Sequence, residues 1–171
     1  MKKFLLSLIV FTLFFSATSI SQERTKVVKT NPLGLAFGNF NVTYEKVLNT
    51  KSSVLFRGAY MFELLGVDVN TGSVGAAYRY YFTHENKEVP SGFYVQPQTS
   101  LGFGSVESDA NFTTFSVGAE LGYQWAWPSG FTLDLGIGPN YTIISGDVDD
   151  VDFDTTSGII PSATLAIGFA F

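Results

Sequence analysis

Large apolar residues alternate with small or polar ones along most of this chain, and that period of two narrows the fold before anything else does. Successive side chains of a strand point to opposite faces, so strict alternation marks strands whose two faces meet different surroundings. At the end of the chain Ala163, Leu165, Ile167, Phe169 and Phe171 share one face. Ser162, Thr164, Ala166, Gly168 and Ala170 share the other. Phe131, Leu133, Leu135 and Ile137 likewise oppose Thr132, Asp134, Gly136 and Gly138. The pattern recurs with Phe115, Val117, Leu121 and Tyr123 against Ser116, Gly118, Glu120 and Gly122. It predicts eight strands, at 31–37, 40–48, 52–64, 72–83, 92–106, 112–127, 131–144 and 158–171. Gly38-Asn39 suits a two-residue hairpin, and Pro128-Ser129-Gly130 a tight turn.

The decisive question is which face points inward. A soluble barrel buries its large residues and covers its outside with charge. Here only 15% of residues are charged, against about 25% in ordinary soluble domains, and 46% are hydrophobic. The small face carries Gly, Ala, Ser and Thr with isolated charges, a poor soluble surface. A membrane barrel inverts the arrangement: the large face meets lipid and the small polar face fills the interior. Eight strands leave just enough interior for side chains, and closure pairs the backbone groups that lipid cannot satisfy. The expected fold is therefore all-β, an eight-stranded antiparallel up-and-down transmembrane β-barrel.

The first residues read as a secretory leader. Lys2 and Lys3 precede the apolar run Phe4 to Phe15, and small residues follow before Glu23-Arg24. That run is shorter than the roughly 20 residues a spanning helix needs. The expected division is a signal peptide at 1–21 and a barrel domain at 22–171, placed in a bacterial outer membrane. Cleavage removes two of the ten basic residues and none of the fifteen acidic ones, leaving a net charge of −7. Such a chain is a poor partner for nucleic acid, which needs clustered Lys and Arg. With no cysteine and one histidine, disulfides, thiolate metal sites and multi-His cages are excluded. No cofactor is expected.

Six charges fall on the interior parity: Glu45, Arg57, Glu63, Arg79, Glu120 and Asp134. An unpaired charge there costs several kcal/mol, so most of them are expected to form an ion-pair network that plugs the lumen. Eight strands put both termini on the periplasmic side. The external loops are then 38–39, 65–71, 107–111 and 145–157. Aromatics near the strand ends (Tyr80, Tyr81, Phe82, Phe93, Tyr94, Trp125, Trp127, Phe169 and Phe171) are expected to form a girdle at the periplasmic rim.

Two further features bear on chemistry. The acidic loop Asp147, Asp149, Asp150, Asp152 and Asp154 offers oxygen ligands for a divalent cation. It lacks the Gly and Glu of an EF-hand, and charge runs of this kind usually serve as solvated segments. His84 in a turn and Ser91 nearby have no third orienting group, so no catalysis is expected.

The last strand, with Leu165, Ile167, Phe169 and terminal Phe171, resembles the C-terminal targeting signal of bacterial outer-membrane barrels. The mature chain resembles the small eight-stranded class represented by OmpX and the OmpA transmembrane domain. The segment from Asn31-Pro32-Leu33-Gly34 to Tyr44-Glu45 is similar to a group of uncharacterised small barrels. This resemblance implies partnership with outer-membrane lipid and with the barrel-assembly machinery, and a monomer. It implies a structural or surface-interaction role through external loops. The alternatives are a small-ligand or ion transport barrel and a soluble lipocalin-like binder with large residues inside.

Overall fold

A computed structural model describes residues 24–36, 38–64, 67–83, 90–106, 110–147 and 156–171. The elements in chain order are β1 Lys26–Thr30, α1 Pro32–Ala36, β2 Asn39–Asn49, β3 Ser52–Leu64 and β4 Val67–Tyr81. β5 Gly92–Val106, β6 Ala110–Ala126, β7 Phe131–Asp147 and β8 Thr156–Ala170 follow. Each strand pairs antiparallel with the next, and β1 closes the sheet against β8 from Val27↔Ala170 to Thr30↔Ile167. The result is a closed up-and-down barrel.

The first strand is displaced from its expected place at 31–37. That segment holds α1, and the strand lies at Lys26–Thr30. The reason is local. Pro32 has no N–H to give to a ladder and suits the first helical position. The Asn31 side chain accepts from the Leu33 and Gly34 N–H groups at 3.0 and 3.1 Å, a helix cap. Gly38-Asn39 is accordingly no two-residue hairpin; α1 forms part of the connection. At this same end of the barrel, strands outrun their sequence pattern. β4 begins at Val67, β6 at Ala110, β7 runs to Asp147 and β8 begins at Thr156. Backbone pairing continues there, as in Val69↔Val106 and Asn111↔Asp147, although the side-chain alternation has faded. The expected loops at 65–71, 107–111 and 145–157 shrink to 65–66, 107–109 and 148–155, which lie outside the described residues, as do the leader and 84–89.

The two faces separate cleanly. Ile137, Leu121 and Phe103 expose 67, 60 and 60% of their surface on the outside. Glu45, Arg79, Gln96, Gln124, Thr132 and Asp134 are buried inside. The barrel core is polar and the apolar surface faces out, the reverse of a lipocalin-like interior. Outside, Phe93, Tyr123 and Trp125 stack in sequence at 4.6 and 4.4 Å, and Trp127 meets Phe131 at 5.4 Å. These aromatics sit at the end that carries the β2–β3 and β6–β7 turns. Tyr81 and Tyr94 do not belong to that girdle. Both have inward parity and are buried in the lumen.

The chain ends are tied together at the same rim. Lys26 and Phe171 exchange backbone hydrogen bonds of 3.0 and 2.8 Å, and Ala170 N–H donates to Gly130 O at 2.7 Å. The Arg24 guanidinium donates to Trp127 O at 2.8 Å and to Pro128 O. Gly130 closes the β6–β7 turn at φ +94°, and a Cβ there would sit 2.6 Å from the Phe169 ring. Gly130→Ala is therefore expected to cost about 1–2 kcal/mol, read as an earlier urea midpoint of the refolded barrel. An unchanged midpoint would contradict the turn geometry.

Candidate functional site: the lumen charge cluster

Inward parity brings four charges from four strands to one point. Lys29 comes from β1, Glu45 from β2, Arg79 from β4 and Asp134 from β7, all buried. The Lys29 ammonium donates to Glu45 Oε2, Asp134 Oδ2 and Gln124 Oε1, each at 2.7 Å. The Arg79 guanidinium donates to Asp134 Oδ2 at 2.9 Å and stands 3.7 Å from Glu45 Oε2. Its other N–H groups reach Gln96 Oε1 at 2.9 and 2.6 Å and Gln124 Oε1 at 2.8 Å. Two cations thus share two carboxylates, and neutral amides take up the remaining donors.

Neutral hydroxyls satisfy the outer oxygens of those carboxylates. Ser53 and Tyr81 donate to Glu45 Oε1 at 2.6 and 2.7 Å. Tyr94 donates to Asp134 Oδ1 at 2.7 Å, and the Arg79 guanidinium stacks 3.6 Å over its ring. That contact adds a cation–π attraction in a water-poor place. Gln124 also donates to Pro90 O at 2.7 Å, linking the cluster to the turn before β5. The arrangement fills the lumen cross-section and bonds strands across the barrel.

The six expected lumen charges do not share one ion-pair network. Glu45, Arg79 and Asp134 join the cluster with Lys29. Glu120 is buried nearby, and its partners among the described residues are all neutral: Thr164 at 2.8 Å, Gln98 at 3.2 Å, Gln96 at 3.5 Å and Ser162. Arg57 lies half-buried and has no hydrogen-bond or ion-pair partner among the described residues. Its neighbours across the sheet are Thr43 and Gly75, neither charged. The Glu63 side chain lies outside the described residues.

Lys29 is the residue that sequence reading missed. Its five-residue strand carries two adjacent valines, Val27 and Val28, and so shows no clean alternation. A signal existed nonetheless. The expected lumen set held four acids and two bases, so a buried cation was owed from elsewhere. Of the acidic loop, Asp149, Asp150, Asp152 and Asp154 lie outside the described residues, as does the Asp147 side chain. His84 also lies outside them. The Ser91 hydroxyl donates to Gln124 O at 3.2 Å. No group of His, Cys, Asp and Glu among the described residues could hold a metal ion. In β8, Leu165, Ile167 and Phe169 are half-buried, and Phe171, just past its end, is exposed.

Comparison with known proteins gives a family and a fold likeness. The family described as "Protein of unknown function (DUF3575)" matches residues 7–148. No curated protein matches. The solved structure of the Yersinia pestis outer membrane protein Ail, in a phospholipid bilayer nanodisc, is 16% identical. The match covers 87% of this chain and 100% of that one, with a TM-score of 0.46.

Removing one member of the cluster leaves an uncompensated buried charge, which costs far more than the intact pair contributes. Asp134→Ala is expected to lower unfolding stability by about 3–5 kcal/mol. Arg57→Gln, which breaks no ion pair, is expected to stay within about 0.5 kcal/mol of the parent. Equilibrium unfolding of both variants in detergent or liposomes checks the contrast.

Proposed function

The chain belongs to this family of proteins of unknown function, and from that premise we propose that it is an outer-membrane barrel that acts structurally and through surface contacts. The observation that carries the reading is the inverted barrel: apolar residues outside around a bonded cluster of charges inside. Water would not favour that exterior, and lipid would not tolerate that interior turned outward. In this reading the leader at 1–21 is cleaved and the barrel inserts as a monomer with outer-membrane lipid around it. The assembly machinery reads Leu165, Ile167, Phe169 and Phe171. Both chain ends and the rim at which β2, β4 and β6 end face the periplasm, and the opposite rim, where α1 lies and β3, β5 and β7 end, faces outward as the contact surface. The plug argues for a barrier instead of an open pore, and no catalytic role is assigned.

Two measurements test this. A heat-dependent gel shift of the protein in an outer-membrane fraction is expected, together with no steady conductance in planar bilayers. Val117→Arg then places a charge on the outside at mid-strand, with an expected cost of about 2–4 kcal/mol if that face meets lipid. Recovery of the folded protein in the soluble fraction, with Val117→Arg neutral, would overturn the membrane reading.

A further inference from the structure

Beside the plug, toward the loop end of the barrel, lies a cavity of about 180 Å³. A single water needs only about 10–15 Å³ on that measure. Arg57, Ser73, Ser100, Ser116, Gln98 and Asn140 supply its polar lining. The strand register explains why these residues meet. Arg57 pairs with Gly75, Gly75 with Ser100, Ser100 with Ser116 and Ser116 with Thr142, one inward row across five strands. Gly75 contributes no side chain, so the row leaves a space beside the guanidinium.

Several donors that line the cavity are unused, although the hydroxyls of Ser116 and Thr142 bond each other at 2.9 Å. Arg57 and the hydroxyls of Ser73 and Ser100 have no partner among the described residues. Asn140 accepts from Gln98 through Oδ1, and its amide nitrogen donates to no described residue. The nearby carboxylates are already occupied. Glu45 and Asp134 bind Lys29 and Arg79, and Glu120 is bonded behind Gln98 to hydroxyls and amides. Arg57 and Glu120 are therefore the two described lumen charges outside the ion-pair cluster; Glu120 is hydrogen-bonded to neutral groups, whereas Arg57 has no partner among the described residues and faces a set of neutral donors.

We propose that this tier of the lumen is a binding site for a small oxyanion, with Arg57 as its charged anchor and Ser73, Ser100 and Asn140 as further donors. A guanidinium offers paired N–H groups that match two oxygens of a phosphate or carboxylate. The phosphate can be free or belong to a lipid. For the second source the wall offers an approach. Strand pairing lapses between Ala77↔Gln98 and Tyr80↔Val95, where Pro97 has no N–H to give. An outer groove lined by Phe56, Ala76, Tyr78 and Pro97 backs onto the same Ala77 and Gln98 that line the cavity.

The test uses the folded full barrel in maltoside detergent, free of other phosphate, with heat-dependent gel mobility as the folding control. Inorganic phosphate and dihexanoyl phosphatidic acid are titrated separately by calorimetry and by the Arg57 side-chain NMR signal. Saturable one-to-one binding of inorganic phosphate supports a free oxyanion site. Saturable binding of the phosphatidic acid alone supports a lipid phosphate. In either case Arg57→Gln is expected to weaken binding about tenfold or more, and Arg57→Lys to retain part of it. Absence of saturation in both arms overturns the proposal, as does unchanged binding by Arg57→Gln. An Arg57 signal that shifts with Glu120→Gln but not with phosphate also overturns it, because Arg57 would then be paired within the lumen.

Discussion

Two cations and two carboxylates share a volume from which water is excluded, and the barrel is organised around keeping them satisfied. Desolvating any one of these groups alone costs several kcal/mol. Lys29 lies between Glu45 and Asp134, and Arg79 reaches Asp134 and stacks on Tyr94. Gln96 and Gln124 accept from the cations, while Ser53, Tyr81 and Tyr94 donate to the carboxylates. A network satisfied at every member holds strands in one relative register. A one-residue slip would turn its charged residues outward.

Closure makes that concentration of polarity possible. Eight strands leave a lumen narrow enough for side chains from opposite walls to touch. Lys29 on β1 and Asp134 on β7 meet although more than a hundred residues separate them. Gly122 and Gly136 leave room for the Tyr94 hydroxyl that completes the Asp134 shell. Outside, the same alternation leaves a continuous apolar surface with stacked aromatics at the turn end.

The lumen is not uniform along its length. Near the turn end it is filled and its charges balance. One tier away the wall residues are small, a cavity opens, and Arg57 stands without a partner among the described residues. Arg57 and Arg79 carry the same side chain at the same inward parity on neighbouring strands, yet one is a strut and the other a free charge. The difference lies in what the register places around them. Arg79 meets Gln96, Gln124 and Asp134, whereas Arg57 is flanked by Thr43 and Gly75.

Strand geometry is local, so the alternation by itself determined the all-β class, seven of the eight strands and the face on which Glu45, Arg57, Arg79, Glu120 and Asp134 stand. It failed where the local signal was weak or contested. β1 is short and carries adjacent valines, and the apolar residues of Asn31–Phe37 imitated a strand although Asn31 and Pro32 start a helix turn. The aromatic residues at the rim looked alike in sequence, yet parity turned Tyr81 and Tyr94 inward to serve the cluster. Only the tertiary structure decided which charges meet, because partnership depends on the stagger between strands far apart in the chain. It brought Lys29 into the centre, gave Glu120 neutral partners and left Arg57 in a tier of its own. Parity is a property of one strand, whereas pairing is a property of the closed barrel.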